Sequence, residues 1–134
     1  MPEKSPAEKL LIKPGQRAAV LNAPEGYPAA LAVSADVDLH TALDGVFDNV
    51  LLFVRDKAQL QREAAAVCDA VKPRGILWIG YPKQTSKIKT DINRDIIWKE
   101  LQETGWESVA IAALDDTWSA LRLRPSADVK SRQA

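Results

Sequence analysis

Three short apolar runs set the limits on what this chain can become. RAAVL (17–21), DNVLLFV (48–54) and ILWIGY (76–81) are bounded by turn-forming residues, and each is too short and too evenly apolar for a surface helix. Such runs are expected to be strands buried on both faces, which belong to a parallel sheet covered by helices. Helix signals lie between them. Asp56 is placed to cap a helix whose apolar positions, Leu60, Ala64, Val67, Cys68 and Val71, fall on one face and which ends at Pro73-Arg74-Gly75. A second helix is expected over 91–103, with Ile92, Ile96, Ile97 and Leu101 inward and Gly105 closing it.

The flanking segments complete the outline. Ser5-Pro6-Ala7-Glu8 reads as a capping-box start to a helix over 5–12, stopped by Pro14-Gly15. Pro28 opens a short helical stretch, PAALAV, and DVDLH (36–40) alternates like a strand. WESVAIAAL (106–114) and TWSALRLR (117–124) are separated only by Asp115-Asp116, the spacing of a hairpin. The expectation is a single α/β domain over 1–125, a three-layer Rossmann-like sandwich. Its sheet is mostly parallel with a C-terminal antiparallel hairpin, and a disordered tail follows at 126–134.

The 18 basic residues cancel the 18 acidic ones, so no overall field draws nucleic acid or an anionic membrane, and any electropositive site must be local. One cysteine, Cys68, and one histidine, His40, exclude a disulfide within the chain and a Cys/His metal cluster. That usage fits a reducing cytoplasm. The N-terminus has no long apolar core, so no signal peptide is expected, and no apolar run is long enough to span a bilayer.

LLIKPGQRAAVLNAP resembles the LKPGxRVLDLG entry to the first strand of class I S-adenosylmethionine-dependent methyltransferases. FDNVLLFVRD resembles their fourth strand, AVKPRGILWIGYP their LKPGGxLxIxxP segment, and LQETGWESVAIAALDDTWSALRLRP their LxxAGF segment and closing hairpin. The chain is also similar, through KPGQ, a strand ending in Pro-Lys and DxTWSxLRL, to a family of small bacterial proteins of uncharacterised function, which implies no activity. The methyltransferase resemblance spans roughly 10–125 and implies a Rossmann-like fold with S-adenosylmethionine as the candidate cofactor. The chain departs from it where that family is glycine-rich. After the first strand it reads Asn22-Ala23-Pro24-Glu25-Gly26, with one glycine and one proline that removes an amide donor. Only PAALAV and DVDLH occupy the space of two strand-helix units. Asp38 stands either for the acidic ribose ligand of that family or for a solvated strand-end residue.

In open α/β sheets, ligands bind at the carboxyl ends of the strands. That rule gathers 22–27, Arg55-Asp56 and 81–90 on one rim. The site residues it selects are Asn22, Glu25, Gly26, Arg55, Tyr81, Lys83, Ser86, Lys87, Lys89 and Thr90, with Trp118 entering from the hairpin beside Ser119. The lysines after Pro82 are point charges for phosphate or carboxylate, and the hydroxyls are donors. The alternative is a solvated loop whose lysines serve solubility. Cys68 reads as a small core residue, His40 as a surface or capping residue, Trp118 alternatively as a core or edge-packing residue, and Trp78, Trp98 and Trp106 as packing or a dimer surface. No P-loop, G-x-S-x-G or zinc motif is present. Three readings follow. The first is a methyltransferase-like domain without methyl transfer, binding a small anion or a protein partner at the rim. The second is a minimal S-adenosylmethionine-dependent methyltransferase. The third is a module that dimerises with no small ligand.

Overall fold

A computed structural model gives the structure of the protein and describes residues 10–23, 36–83, 90–103, 105–114 and 117–125. Six strands form one sheet. They are β1 (Arg17–Leu21), β2 (Asp38–His40), β3 (Phe47–Phe53), β4 (Val71–Pro82), β5 (Trp106–Ala113) and β6 (Trp118–Pro125), in spatial order β2-β1-β3-β4-β6-β5. The first four run parallel, and β6 and β5 return antiparallel beyond β4. Helices α1 (Lys57–Asp69) and α2 (Arg94–Gln102) lie on one face. This is the mostly parallel α/β fold with a C-terminal hairpin that the apolar runs imply.

Strand alternation sorts the core into two sides. Val50, Leu52, Leu77, Ile79, Leu121 and Leu123 pack beneath Leu60 and Val67 of α1 and Ile97 and Leu101 of α2. Val20, Leu51, Phe53, Trp78 and Trp118 face the other way, where Leu10 and Ile12 cover part of them. The Leu10 carbonyl accepts two buried donors, Asn49 Nδ2 at 2.8 Å and Trp78 Nε1 at 2.9 Å, which tie the segment before β1 to the middle of the sheet. The two helical stretches expected at 28–33 and across 5–9 lie outside the described residues. Leu10 and Leu11 form a turn, with Leu11 at a φ of 64°.

Two boundaries differ from the sequence expectation. The first helix stops at Asp69 because the Phe47 N–H takes the Ala70 carbonyl at 2.7 Å, turning Val71 into the first residue of a strand. Pro73-Arg74-Gly75 therefore does not end a helix and lies within β4. Between the pairs Phe47↔Val71 and Asn49↔Ile76, β4 advances five residues while β3 advances two, so the segment is a bulge. Gly75 is there because a Cβ would stand 2.7 Å from Val71 Cγ1 and 2.8 Å from the Lys72 carbonyl oxygen. The second helix begins at Arg94, three residues later than expected. Asn93 Oδ1 caps it by accepting from the Ile96 N–H at 3.0 Å, while Asp91 instead accepts from the Lys57 N–H at 2.9 Å.

Candidate functional site

The carboxyl ends of β1, β3 and β4 share one edge of the sheet, and the described rim residues divide among three places on it. Asn22 follows β1 at a φ of 56° and donates from Nδ2 to Glu63 of α1 at 2.7 Å. Arg55 follows β3, and its guanidinium lies 5.6 Å from the Trp118 ring. Trp118 is buried on the face away from the helices, edge-on to Phe53 with centroids 5.2 Å apart. Tyr81 and Lys83 close β4, on the helix side of the sheet in the case of Tyr81. Thr90 Oγ1 donates to the Arg55 carbonyl and accepts from the Ile92 N–H, so its hydroxyl pins the chain leading into α2 against the end of β3. Glu25, Gly26, Ser86, Lys87 and Lys89 lie outside the described residues.

Around Tyr81 and Lys83 the structure assembles a cavity of about 490 Å³. Its other polar walls are Asn93, Arg94 and Asp95 from the start of α2 and Ser119 from β6. Local structure explains each position. Lys83 N–H donates to the Thr117 carbonyl at 2.8 Å, which fixes where the chain leaves β4. Tyr81 and Ser119 are direct cross-strand partners, so their side chains emerge on the same face. The Asn93 cap then sets Arg94 and Asp95 in the first turn, over that pair.

Burial pushes the Tyr81 phenol above its ordinary value of 10.0, opposed by the Arg94 charge and a hydrogen bond with Ser119, and reinforced by Asp95. The folded chain therefore holds this proton more tightly than the unfolded one. The resulting stability is complete below the ordinary tyrosine pKa and is lost as pH rises through the raised folded value. In thermal melts between about pH 9 and 11 the parent is expected to lose stability more steeply than Tyr81→Phe. Parallel curves would remove the phenol from the alkaline transition.

Arg94 stands in an unfavourable place for a cation. A positive charge in the first turn of a helix opposes the macrodipole at a cost of about 0.3–1 kcal/mol. None of the ion pairs among the described residues involves it. At the opposite end of the sheet the cations are paired: Arg17 lies 3.6 Å from both Asp38 and Asp44, and Lys72 lies 3.4 Å from Asp48. Arg94 and Asp95 were not among the residues selected from sequence. Their signal was Asn93, an N-cap residue. Starting the helix there rather than at Asp91 places Arg94 at the rim.

A second cavity, of about 330 Å³, lies at the topological switch between β1 and β3. Asn22, Thr41 and Glu63 are its polar walls, and Leu21, Leu52 and Val67 are among its apolar ones. S-adenosylmethionine carries a carboxylate, an ammonium and a sulfonium, and the described walls offer one carboxylate, Glu63, and no cation. His40 Nε2 lies 3.0 Å from Asp38 with its ring edge-on to Phe47, and Cys68 is half-buried against the core. Among the described residues no group of acidic, histidine or cysteine side chains could hold a metal ion, and no helix is long and apolar enough to cross a membrane.

No protein-family model matches the chain, and no curated protein matches it. Solved structures do. The ribosomal protein L11 methylase of Lactobacillus delbrueckii subsp. bulgaricus superposes with a TM-score of 0.56 at 14% identity, over 90% of this chain and 74% of that one. Magnesium protoporphyrin IX methyltransferase of Synechocystis PCC 6803, with bound SAH, gives 0.56 at 10% identity, over 82% and 74%. The glycopeptide N-methyltransferase MtfA gives 0.55 at 12% identity, over 86% and 85%. At these identities the likeness establishes the fold, which is methyltransferase-like and Rossmann-like.

Proposed function

We propose that this methyltransferase-like domain binds a small anionic ligand at the carboxyl edge of its sheet, in the cavity between the end of β4 and the start of α2, and does not transfer methyl groups. The observation that carries this reading is Arg94. It is an exposed cation held against a helix dipole, in the wall of a cavity that also contains Lys83 and the Tyr81 and Ser119 hydroxyls. Ser119 hydrogen-bonds to Tyr81, and the phenol stays protonated at neutral pH, so it is a donor. The switch-point cavity between β1 and β3 has the wrong charge for the same ligand among its described walls, where Glu63 is the one charged residue.

A thermal-melt panel of acetate, phosphate, nucleotides and S-adenosylmethionine tests this. A ligand at a hundred times its dissociation constant adds about 2.7 kcal/mol and moves the midpoint by several degrees. Arg94→Ala is expected to weaken anion binding at least tenfold, the weight of one charge-assisted hydrogen bond at about 1.5–3 kcal/mol. A stabilising response to S-adenosylmethionine alone, unchanged by Arg94→Ala, would favour the minimal methyltransferase instead.

A further inference from the structure

Two cavities of about 490 Å³ each adjoin on the helix-bearing side of the sheet. They share Arg94, Asp95 and Ile111 as walls and so form one groove. The polar half is the anion site described above. The other half runs between α2 and the edge strand β5, walled by Trp98, Val109, Ile111 and Leu121. Trp98 is held in that wall by its indole N–H, 3.3 Å from Glu107 Oε2. Val109 and Ile111 keep 42% and 47% of their surface exposed, although β5 has no charged residue from Ser108 to Ala113. Large apolar side chains left open beside a cation-lined pocket are the arrangement of a site that grips a polar head and an apolar body together.

We infer that the groove takes an amphiphilic carboxylate, with its head at Lys83 and Arg94 and its aliphatic or aromatic body along Trp98, Val109 and Ile111. This rests on the anion site proposed above and adds the class of molecule that brings the anion. Charge fixes both the direction and the head. Among the described residues Lys83 stands only in the polar half, and beyond the shared Arg94 and Asp95 the apolar half has no charged wall. Among the described walls the formal charges of Lys83, Arg94 and Asp95 sum to one positive charge, which matches a monoanion better than a phosphate dianion. The two halves together fall within the roughly 300–1,000 Å³ range of small-molecule sites.

The probes are the straight-chain carboxylates from acetate to octanoate, with octanol as the uncharged comparator, titrated against the full chain by calorimetry and ligand-observed NMR. Affinity is expected to rise about two- to fourfold with each added methylene, the range between half and full burial of that group. Ile111→Ser is expected to flatten that rise, and Val109→Ser, which lies outside the polar half, to flatten it while leaving acetate binding unchanged, whereas Arg94→Ala lowers every carboxylate by one common factor. Both apolar side chains are exposed, and Val109→Ser alone carries the reading if Ile111→Ser melts early. A series with no dependence on chain length would overturn the amphiphile while leaving the anion site standing. Equal binding of octanol and octanoate, or no binding by any carboxylate, would overturn both. Sedimentation showing a dimer that Ile111→Ser dissociates, with no rise across the series, would assign the exposed strand to a second copy of the chain and end the ligand proposal.

Discussion

Asn49→Asp is expected to destabilise the protein by about 3–5 kcal/mol at neutral pH, the cost of leaving a buried charge uncompensated. That is a large share of the roughly 5–15 kcal/mol that holds a domain of ordinary stability together. Asn49 is 1% exposed at the centre of β3, and its amide donates to the Leu10 carbonyl at 2.8 Å. Replacing that amide by a carboxylate turns a donor into an acceptor and sets two oxygens against each other in a dry place. The change in size is negligible, so the effect isolates charge and hydrogen bonding. It also has a signature in pH. Burial raises the folded pKa of the introduced carboxyl above its unfolded value of about 3.9. The variant's stability relative to the parent is therefore greatest below that value and falls as pH rises through the folded pKa. In its protonated form the introduced group can still donate to Leu10. Urea titrations of parent and variant at acid and neutral pH measure the difference. A deficit that does not change with pH would show that the Leu10 contact is not buried as described.

Gly80→Ala is expected to cost about 1–3 kcal/mol, the range for overpacking a filled core. A Cβ at Gly80 would stand 2.9 Å from Phe53 Cδ1 and 3.2 Å from its Cε1. Such contacts are cheap only where the neighbour can move. Phe53 cannot, being 1% exposed and set edge-on against Trp118 at an interplanar angle of 89°. Trp118 in turn lies beneath the Arg55 guanidinium. The glycine in ILWIGY is therefore a space requirement imposed by the aromatic ring on the neighbouring strand. Phe53→Leu should relieve part of the strain, so the double variant is expected to be more stable than the sum of the two single changes. Additive losses in denaturant melts would mean that the glycine is needed for some other reason.

The parts of the fold legible in the sequence are those with a local cause. RAAVL, DNVLLFV and ILWIGY are strands because uniform apolar runs cannot face water, and Asp56 does cap α1, accepting from the Gln59 N–H at 2.8 Å. The short connection at 114–117, centred on Asp115-Asp116, joins two strands that pair antiparallel. The misread boundaries have distant causes. KPRG looks like a helix stop because proline and glycine punctuate local structure. It enters a strand only because Phe47, far back in the chain, takes the Ala70 carbonyl.

The candidate site divides along the same line. Tyr81 and Lys83 were legible because they sit where a parallel strand ends, and sheet topology makes that edge a binding rim. Trp118 is open in the sequence between that rim and packing in the core, and it is buried in the core. Strand alternation turns it to the opposite face and presents its neighbour Ser119 beside Tyr81. Which of two adjacent residues faces a site depends on register, and register is set across strands. Arg94 was hidden by a helix start placed three residues early. With Asp91 as the start, Arg94 falls at the end of the first turn, where the conflict with the dipole is weaker, instead of at its first position.

An amide-resolved NMR titration of the parent chain with acetate and then octanoate tests the anion site most directly. Saturable movement of the Asn93, Arg94, Asp95 and Ser119 resonances, with Asn22, Thr41 and Glu63 unmoved, is the predicted result, and Arg94→Ala should abolish most of it. Movement centred on Asn22, Thr41 and Glu63, unaffected by Arg94→Ala, would place binding at the end of the first strand and contradict the account.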